Sequence, residues 1–248
     1  MVSNKIYSSS NEYLDDIFMR FNFTNKDVLT VLASSDQFFC FCSNNVKRID
    51  TFDINYLAVY YYFLRIWTMK YNNLIYPIFP LKRDYLDKLL ILVNPNSALE
   101  LEALDYWNNI LKSDISIDSL FNIGTYPLDS DNCDISSVLK KIDDINFSFY
   151  NIDISNNISI NNKYDIIYVS NISDYVGYDN LKLYRDNLYS LLNSNGIVMC
   201  SNVGRGCVRN SELSLFEEKF KYYSMSDNND PFYCSGYYYV KKDMGRKK

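Results

Sequence analysis

The chain has 248 residues, room for one large α/β domain with a sizeable core, and its 48% hydrophobic and 22% charged content excludes disorder of the whole. A formal net charge of −5 supplies no basic face for phosphate backbones, so no nucleic-acid partner is expected. Histidine is absent and the six cysteines (40, 42, 133, 200, 207 and 234) show no C-x-x-C spacing, so no metal is expected and reduced thiols in a cytoplasmic protein fit best.

Residues 1–10 are polar and read as loose, and Asn11–Arg20 can form a short helix leading into the first strand. The opening MVSNKIYSSSNEYL lacks the charged-then-apolar pattern of a secretion signal. The longest apolar run, Leu57–Trp67, is too short for a bilayer and contains Arg65, so no transmembrane segment is expected. Val28-Leu29-Thr30-Val31-Leu32 is aliphatic without alternation, as in a parallel strand buried on both faces. It stops at Ala33-Ser34-Ser35-Asp36, whose small side chains let backbone approach a ligand, and Gln37–Cys42 is apolar enough for a helix on the sheet. A second strand over Lys47–Phe52 ends in Asp53, about twenty residues past the loop, the separation at which an acid accepts hydrogen bonds from ribose hydroxyls. Asn55 stands as helix cap before the aromatic helix Tyr56–Tyr71. Each signal has a plainer reading as a turn or a cap; their order is what points to a nucleotide site.

The next strand-like run comes only at 146–154, NFSFYNIDI. The gap holds helical patterns at Arg83–Leu92, after the Asn96 or Ser97 cap with Leu99, Leu101, Leu104 and Trp107, and at Ile135–Ile142. It reads as a helical insertion, either an acceptor-binding wall or a structural subdomain. The expected division is 1–26 N-terminal segment, 27–72 first half of the nucleotide-binding domain, 73–145 insertion and 146–248 second half. Tyr164–Val169 is the clearest later strand and leaves through Ser170-Asn171-Ile172-Ser173-Asp174-Tyr175. A helix at Leu181–Leu192, the Asn195-Gly196 turn and a strand at Ile197–Ser201 follow. Lys219–Met225 and Phe232–Lys241, around the polar 227–231 turn, read as a hairpin. The basic tail, Lys241, Lys242, Arg246, Lys247 and Lys248, fits a solvated terminus or contact with an anionic surface.

The stretches VLTVLASSDQ…IDTFDIN and YDIIYVSNISDY, with LLNSNG before the fifth strand, resemble the class I S-adenosylmethionine-dependent transferases, and most closely the family related to the diacylglycerol 3-amino-3-carboxypropyltransferase of betaine-lipid synthesis. That resemblance implies a Rossmann-like class I methyltransferase fold: α/β, with a mostly parallel seven-stranded sheet, a C-terminal antiparallel hairpin and the insertion after the second strand. It also implies S-adenosyl-L-methionine as cofactor, a methyl or 3-amino-3-carboxypropyl group as cargo, and a small-molecule or lipid acceptor. The family's loop carries glycines where this chain has Ala33, Ser34 and Ser35, so the loop has either relaxed or weakened its hold on the cofactor. By position, Ala33, Ser34, Ser35, Asp36, Asp53, Ile54, Asn55, Asp153 near the adenine, Ser170 and Asn171 are the cofactor-binding candidates. Asp174 and Tyr175 are the catalytic pair, although Asp174 reads somewhat more readily as an aspartate stabilising a helix start. A catalytically degenerate member acting as a binding or scaffold module is the alternative. An NAD oxidoreductase is disfavoured by the absent G-x-G-x-x-G and the closing hairpin.

Overall fold

Unbroken aliphatic runs become the middle of the sheet, and runs of helical period become the layers that cover it. The computed structural model describes residues 5–10, 12, 14, 18–122, 134–145, 147–201, 210–225 and 236–243. In chain order its elements are β1 (Ile6–Tyr7), β2 (Asp27–Val31), α1 (Asp36–Ser43), β3 (Arg48–Asp53), α2 (Leu57–Asn72), α3 (Arg83–Leu90), α4 (Ala98–Lys112) and β4 (Phe121–Asn122). They continue with α5 (Ile135–Asp144), β5 (Ser148–Asn151), β6 (Tyr164–Ser170), α6 (Leu181–Leu191), β7 (Leu192–Ser201), α7 (Asn210–Phe216), β8 (Phe220–Ser224) and β9 (Gly236–Lys241).

Seven strands share one sheet in the order β5-β3-β2-β6-β7-β9-β8. Strands β5, β3, β2, β6 and β7 are mutually parallel, and β9 runs antiparallel to both its neighbours. This order, with one reversed strand beside the C-terminal edge, is the Rossmann-like class I methyltransferase fold. Its centre is dry: Val28, Leu29, Ile167 and Val169 have no exposed surface. Gly236 is needed where β9 meets β7, since a Cβ there would lie 2.4 Å from the Cys200 carbonyl oxygen.

Between β3 and β5 the chain inserts α3, α4, β4 and α5. Ser97 and Glu100 form a reciprocal cap on α4: Ser97 Oγ accepts the Glu100 N–H at 3.1 Å and Glu100 Oε2 accepts the Asn96 N–H at 2.7 Å. The Arg83 guanidinium donates to the carbonyls of Ile110, Leu111, Ser113 and Ile115, satisfying the other end of α4. Two indoles fasten α4 to α2, Trp107 Nε1 donating to the Tyr60 carbonyl at 2.9 Å and Trp67 Nε1 to Glu100 at 2.8 Å.

Several sequence expectations change. Residues 5–10 are not loose: β1 pairs parallel with β4, and Ser8, Ser9 and Ser10 are buried. The strand expected over 146–154 is confined to β5, because Asp153 turns the chain by accepting from the Ser155 N–H and Oγ and from Asn156 Nδ2. Asn195 does not end a helix–strand turn; it takes φ 59° inside β7, where the β6–β7 register shifts. The turn at 227–231, the tail from 244 and much of 11–20 lie outside the described residues. Lys241 is anchored rather than solvated, donating to the Tyr189 and Leu192 carbonyls. Among the described residues, no helix is long and apolar enough to cross a membrane, and Cys40, Cys42 and Cys200 are buried and unbridged.

Candidate functional site

The parallel strands all end at one edge of the sheet, where an open α/β fold leaves its crevice. Two cavities lie there, of about 410 and 430 Å³. The first has the more polar lining of the two, although most of its surface is still apolar, with Ser9, Ser10, Ser34, Gln37, Asn55, Asn122 and Asn171 in its wall. The second is apolar, walled by Phe52, Ile152, Ile154 and Val176 with Asp153 and Ser155. They share Val31, Asp53, Ile54, Ile172 and Tyr175, so they are two chambers of one crevice meeting at Asp53.

Asp53, the last residue of β3, is held by two backbone donors, the Ala33 N–H on Oδ2 at 2.9 Å and the Asn55 N–H on Oδ1 at 2.8 Å. Each oxygen keeps a lone pair for a further donor. Burial pushes the carboxyl up to about 6, against the lowering effect of those N–H groups. Asn55 in turn accepts the Leu57 N–H at 3.1 Å, capping the start of α2, and donates through Nδ2 to the Lys5 carbonyl at 3.0 Å. Strand end, helix start and N-terminal segment are thereby joined at one residue.

The loop after β2 has not relaxed for want of glycine. Ala33 holds φ 42° and Ser35 φ 73°, and Ser170, at the end of β6, holds φ 56°. The other described non-glycine residues with positive φ are Asn25, Asn45, Asn73 and Asn195, the type that tolerates that region best. The three costly cases therefore all sit around the crevice, where strain of about 1–3 kcal/mol each persists only if the surroundings over-determine it.

They do so through a buried ion pair. Arg65 in α2 and Asp36 at the start of α1 are both wholly buried and meet at 2.5 Å; the same Arg65 Nη1 donates to the Ser34 carbonyl at 2.6 Å, fixing the loop backbone. The guanidinium lies between the rings of Phe39 and Tyr76, 4.6 and 4.2 Å from their centroids. Tyr76 Oη, Ser34 Oγ and the Ser10 N–H also donate to the Asp36 carboxylate. A second buried acid, Glu12, accepts from Tyr168 Oη at 2.6 Å, from Gln37 Nε2 at 3.2 Å and from Ser170 Oγ. Burial raises its carboxyl above the usual range. The N-terminal segment is thus tied both to the loop and to the end of β6.

Of the cofactor-binding candidates, Ala33, Ser34, Asp53, Ile54, Asn55, Ser170 and Asn171 line the first chamber and Asp153 the second. Ser35 and Asp36 line neither: Ser35 is the buried residue at the left-handed turn, and Asp36 faces Arg65. Tyr175 stands on the shared rim with 75% of its surface exposed, whereas Asp174 belongs to the same turn and to neither wall. Sequence reasoning missed Glu12, Gln37, Arg65 and the whole contribution of residues 5–10. Arg65 did carry a signal, being the one charged residue in the apolar run Leu57–Trp67.

No family model and no curated protein sequence matches the chain. Among solved structures, it is similar to a TehB-like SAM-dependent methyltransferase from Corynebacterium glutamicum at 12% identity and TM-score 0.47, covering 97% of this chain and 90% of that one. The N-methyltransferase NodS from Bradyrhizobium japonicum in complex with S-adenosyl-L-homocysteine gives 9% identity and TM-score 0.45, over 94% of this chain and 88% of that one. An rRNA methylase from Streptococcus thermophilus gives 7% and 0.38, over 93% and 95%. Likeness at this level adds nothing to the strand order, on which the fold rests.

Proposed function

We propose that the chain is an S-adenosylmethionine-dependent transferase that moves a methyl or a 3-amino-3-carboxypropyl group to a small-molecule or lipid acceptor. One observation carries the reading: Asp53 stands where two chambers meet at the carboxyl edge of the sheet, one walled by Phe52, Ile152, Ile154 and Val176, the other holding most of the crevice's serine and asparagine side chains. An adenosyl amino acid divides chemically in the same way, into a flat ring, a vicinal diol and a zwitterion. The residues fit the group: Phe52, Ile152, Ile154 and Val176 would flank the adenine, and Asp53 would accept from the ribose hydroxyls. The cofactor would supply an electrophilic carbon with a good leaving group, which leaves alignment as the protein's main task.

Tyr175 is an exposed rim residue common to both chambers, as is Ile54, and is assigned the acceptor side, with Tyr7 exposed beside the same crevice. Their apolar surface supports an uncharged or lipid-like acceptor and gives a nucleic-acid backbone nothing to bind. Asp174 lies in neither wall, which favours the turn-stabilising reading over the proton-accepting one. The betaine-lipid relationship is kept as a proposal, supported by the sequence motifs at the two strand ends. A cytoplasmic location is proposed with it, supported by the buried, unbridged thiols.

The glycine-free loop favours a second reading, a fold retained for binding without catalysis. Thermal shift separates them: a ligand at a hundred times its Kd stabilises by about 2.7 kcal/mol, a rise on the order of 5–10 °C for a chain of this size. S-adenosylmethionine and S-adenosylhomocysteine should both produce it, and Asp53→Ala should abolish it. No shift with either ligand would overturn the transferase reading. The by-product, S-adenosylhomocysteine or methylthioadenosine, then identifies the group moved.

A further inference from the structure

Tyr56, just before α2, and Tyr60, in its first turn, reach across to α4 and hold one carboxylate between them. Tyr60 Oη donates to Glu102 Oε1 at 2.8 Å and Tyr56 Oη to Glu102 Oε2 at 3.3 Å. Burial, and then the carboxylate itself, keeps both phenols above their ordinary range, so both remain donors at physiological pH. The two tyrosines belong to a row of half-buried rings: Tyr60 stacks on Tyr106 at 4.5 Å, and Tyr56 meets Tyr60 edge-on at 5.2 Å and Phe149 of β5 at 5.5 Å. Glu102 is exposed, and no lysine or arginine among the described residues pairs with it. An exposed carboxylate usually gains little from pairing, because two long side chains must be ordered to make one contact. Here the hydroxyls have already ordered one of them.

We propose that Glu102, with Tyr56, Tyr60 and Tyr106, is a docking site for an arginine side chain of a partner protein. The inference is independent of the cofactor reading. An ionised carboxyl offers about four lone-pair sites, and the phenols take one on each oxygen. One on each oxygen is left, side by side, which the planar fork of a guanidinium fills with two parallel bonds and a point-charge ammonium does not. The flanking rings attract the same cation through their quadrupoles. Sites that hold small molecules enclose most of the ligand's surface, whereas this one lies open, so the guanidinium is delivered by a larger body whose other contacts offset the cost of association. Charge selects a basic segment, since Asp105 is exposed one turn further along α4 and the chain as a whole carries −5. The residue before Tyr56 is Asn55, in the wall of the first chamber, so a partner seated here stands beside the crevice.

Nuclear magnetic resonance titration of the isotope-labelled full chain tests this. Its reporter is the indole N–H of Trp107, which donates to the Tyr60 carbonyl and belongs to a ring 5.2 Å from Tyr106. The probes are acetyl-Gly-Arg-Gly-Arg-Gly-amide, its lysine counterpart and free arginine amide. At low ionic strength the arginine peptide should shift the reporter saturably, and the lysine peptide should bind at least about threefold more weakly. Glu102→Gln should weaken the arginine peptide by about tenfold. Tyr60→Phe, which keeps the ring and removes one of the two hydroxyls, should weaken it by about threefold and carries the comparison if Glu102→Gln disturbs α4. Equal affinity for the two peptides, an arginine peptide indifferent to both substitutions, or no saturable shift overturns the site. Free arginine amide binding as tightly as the peptide overturns the protein partner.

Discussion

Asp53 shows how a single carboxylate can serve the scaffold and a ligand together. Its two oxygens hold the loop after β2 and the start of α2, while burial keeps the acid at about 6, above the ordinary 3.8. A folded value above the unfolded one means that this group favours the fold most below the unfolded value, and that the benefit is lost as pH rises through about 6. Ligand binding should run the other way, because the ionised form is the better acceptor for ribose hydroxyls. Affinity for S-adenosylhomocysteine should be flat above pH 7 and halve near pH 6. It should then fall by up to about tenfold per further unit; calorimetry between pH 5 and 8 reads it, and an affinity unchanged at pH 5 would remove Asp53 from the site. Asp53 was legible in the sequence because strand, loop and acid are local and ordered by spacing. Gln37 and Glu12 were not, because their meaning lies in contacts between residues 25 positions apart.

At the scale of elements, α2 does more than cover the sheet. Helices of this kind keep charge on the outer face, yet Arg65 points inward and is wholly buried against Asp36. What glycine would do by having no Cβ is done here by the Arg65 guanidinium, which holds Ser34 and Asp36 while Ala33 and Ser35 keep positive φ. Removing one member of such a pair leaves a buried charge uncompensated. Arg65→Met should therefore cost about 3–5 kcal/mol. Asp36→Asn should cost comparably, and the double variant should cost less than the sum by more than about 1 kcal/mol; urea denaturation of the four proteins gives the cycle. Additive costs would mean that the loop is held by other contacts. The longer elements were readable to within a few residues, since β2 and β6 are rich in aliphatic residues and α3 and α4 are periodic. The brace was not, because an arginine in an apolar helix reads equally as a solvated exception.

Over the whole molecule, the sheet supplies the crevice floor, and its far wall comes from two segments outside the sheet. Residues 5–10 and the helical insertion meet where β1 pairs with β4, and Phe121 there packs on Tyr61, Phe79 and Trp107. Among the contacts that fasten the segment, the Ser8 N–H donates to the Asn122 carbonyl at 2.8 Å, Tyr61 Oη donates to the Ser8 carbonyl at 2.5 Å, and the Ser10 N–H reaches Asp36. This two-residue pairing could not be read from IYSSS, since its partner lies more than a hundred residues away. So short a ladder should open locally at far lower free energy than the seven-stranded sheet. If a ligand in the first chamber must leave before the segment opens, saturation at a hundred times Kd should slow exchange of the Ser8 and Ser10 amides by up to about a hundredfold. The Lys242 N–H, which bonds the Lys219 carbonyl on the far hairpin, opens independently of the crevice and should be unaffected. Exchange at Ser8 that stays unchanged, in a protein already shown to bind S-adenosylhomocysteine, would mean that the ligand enters and leaves without this wall moving, and that residues 5–10 are a fixed part of the chamber rather than its gate.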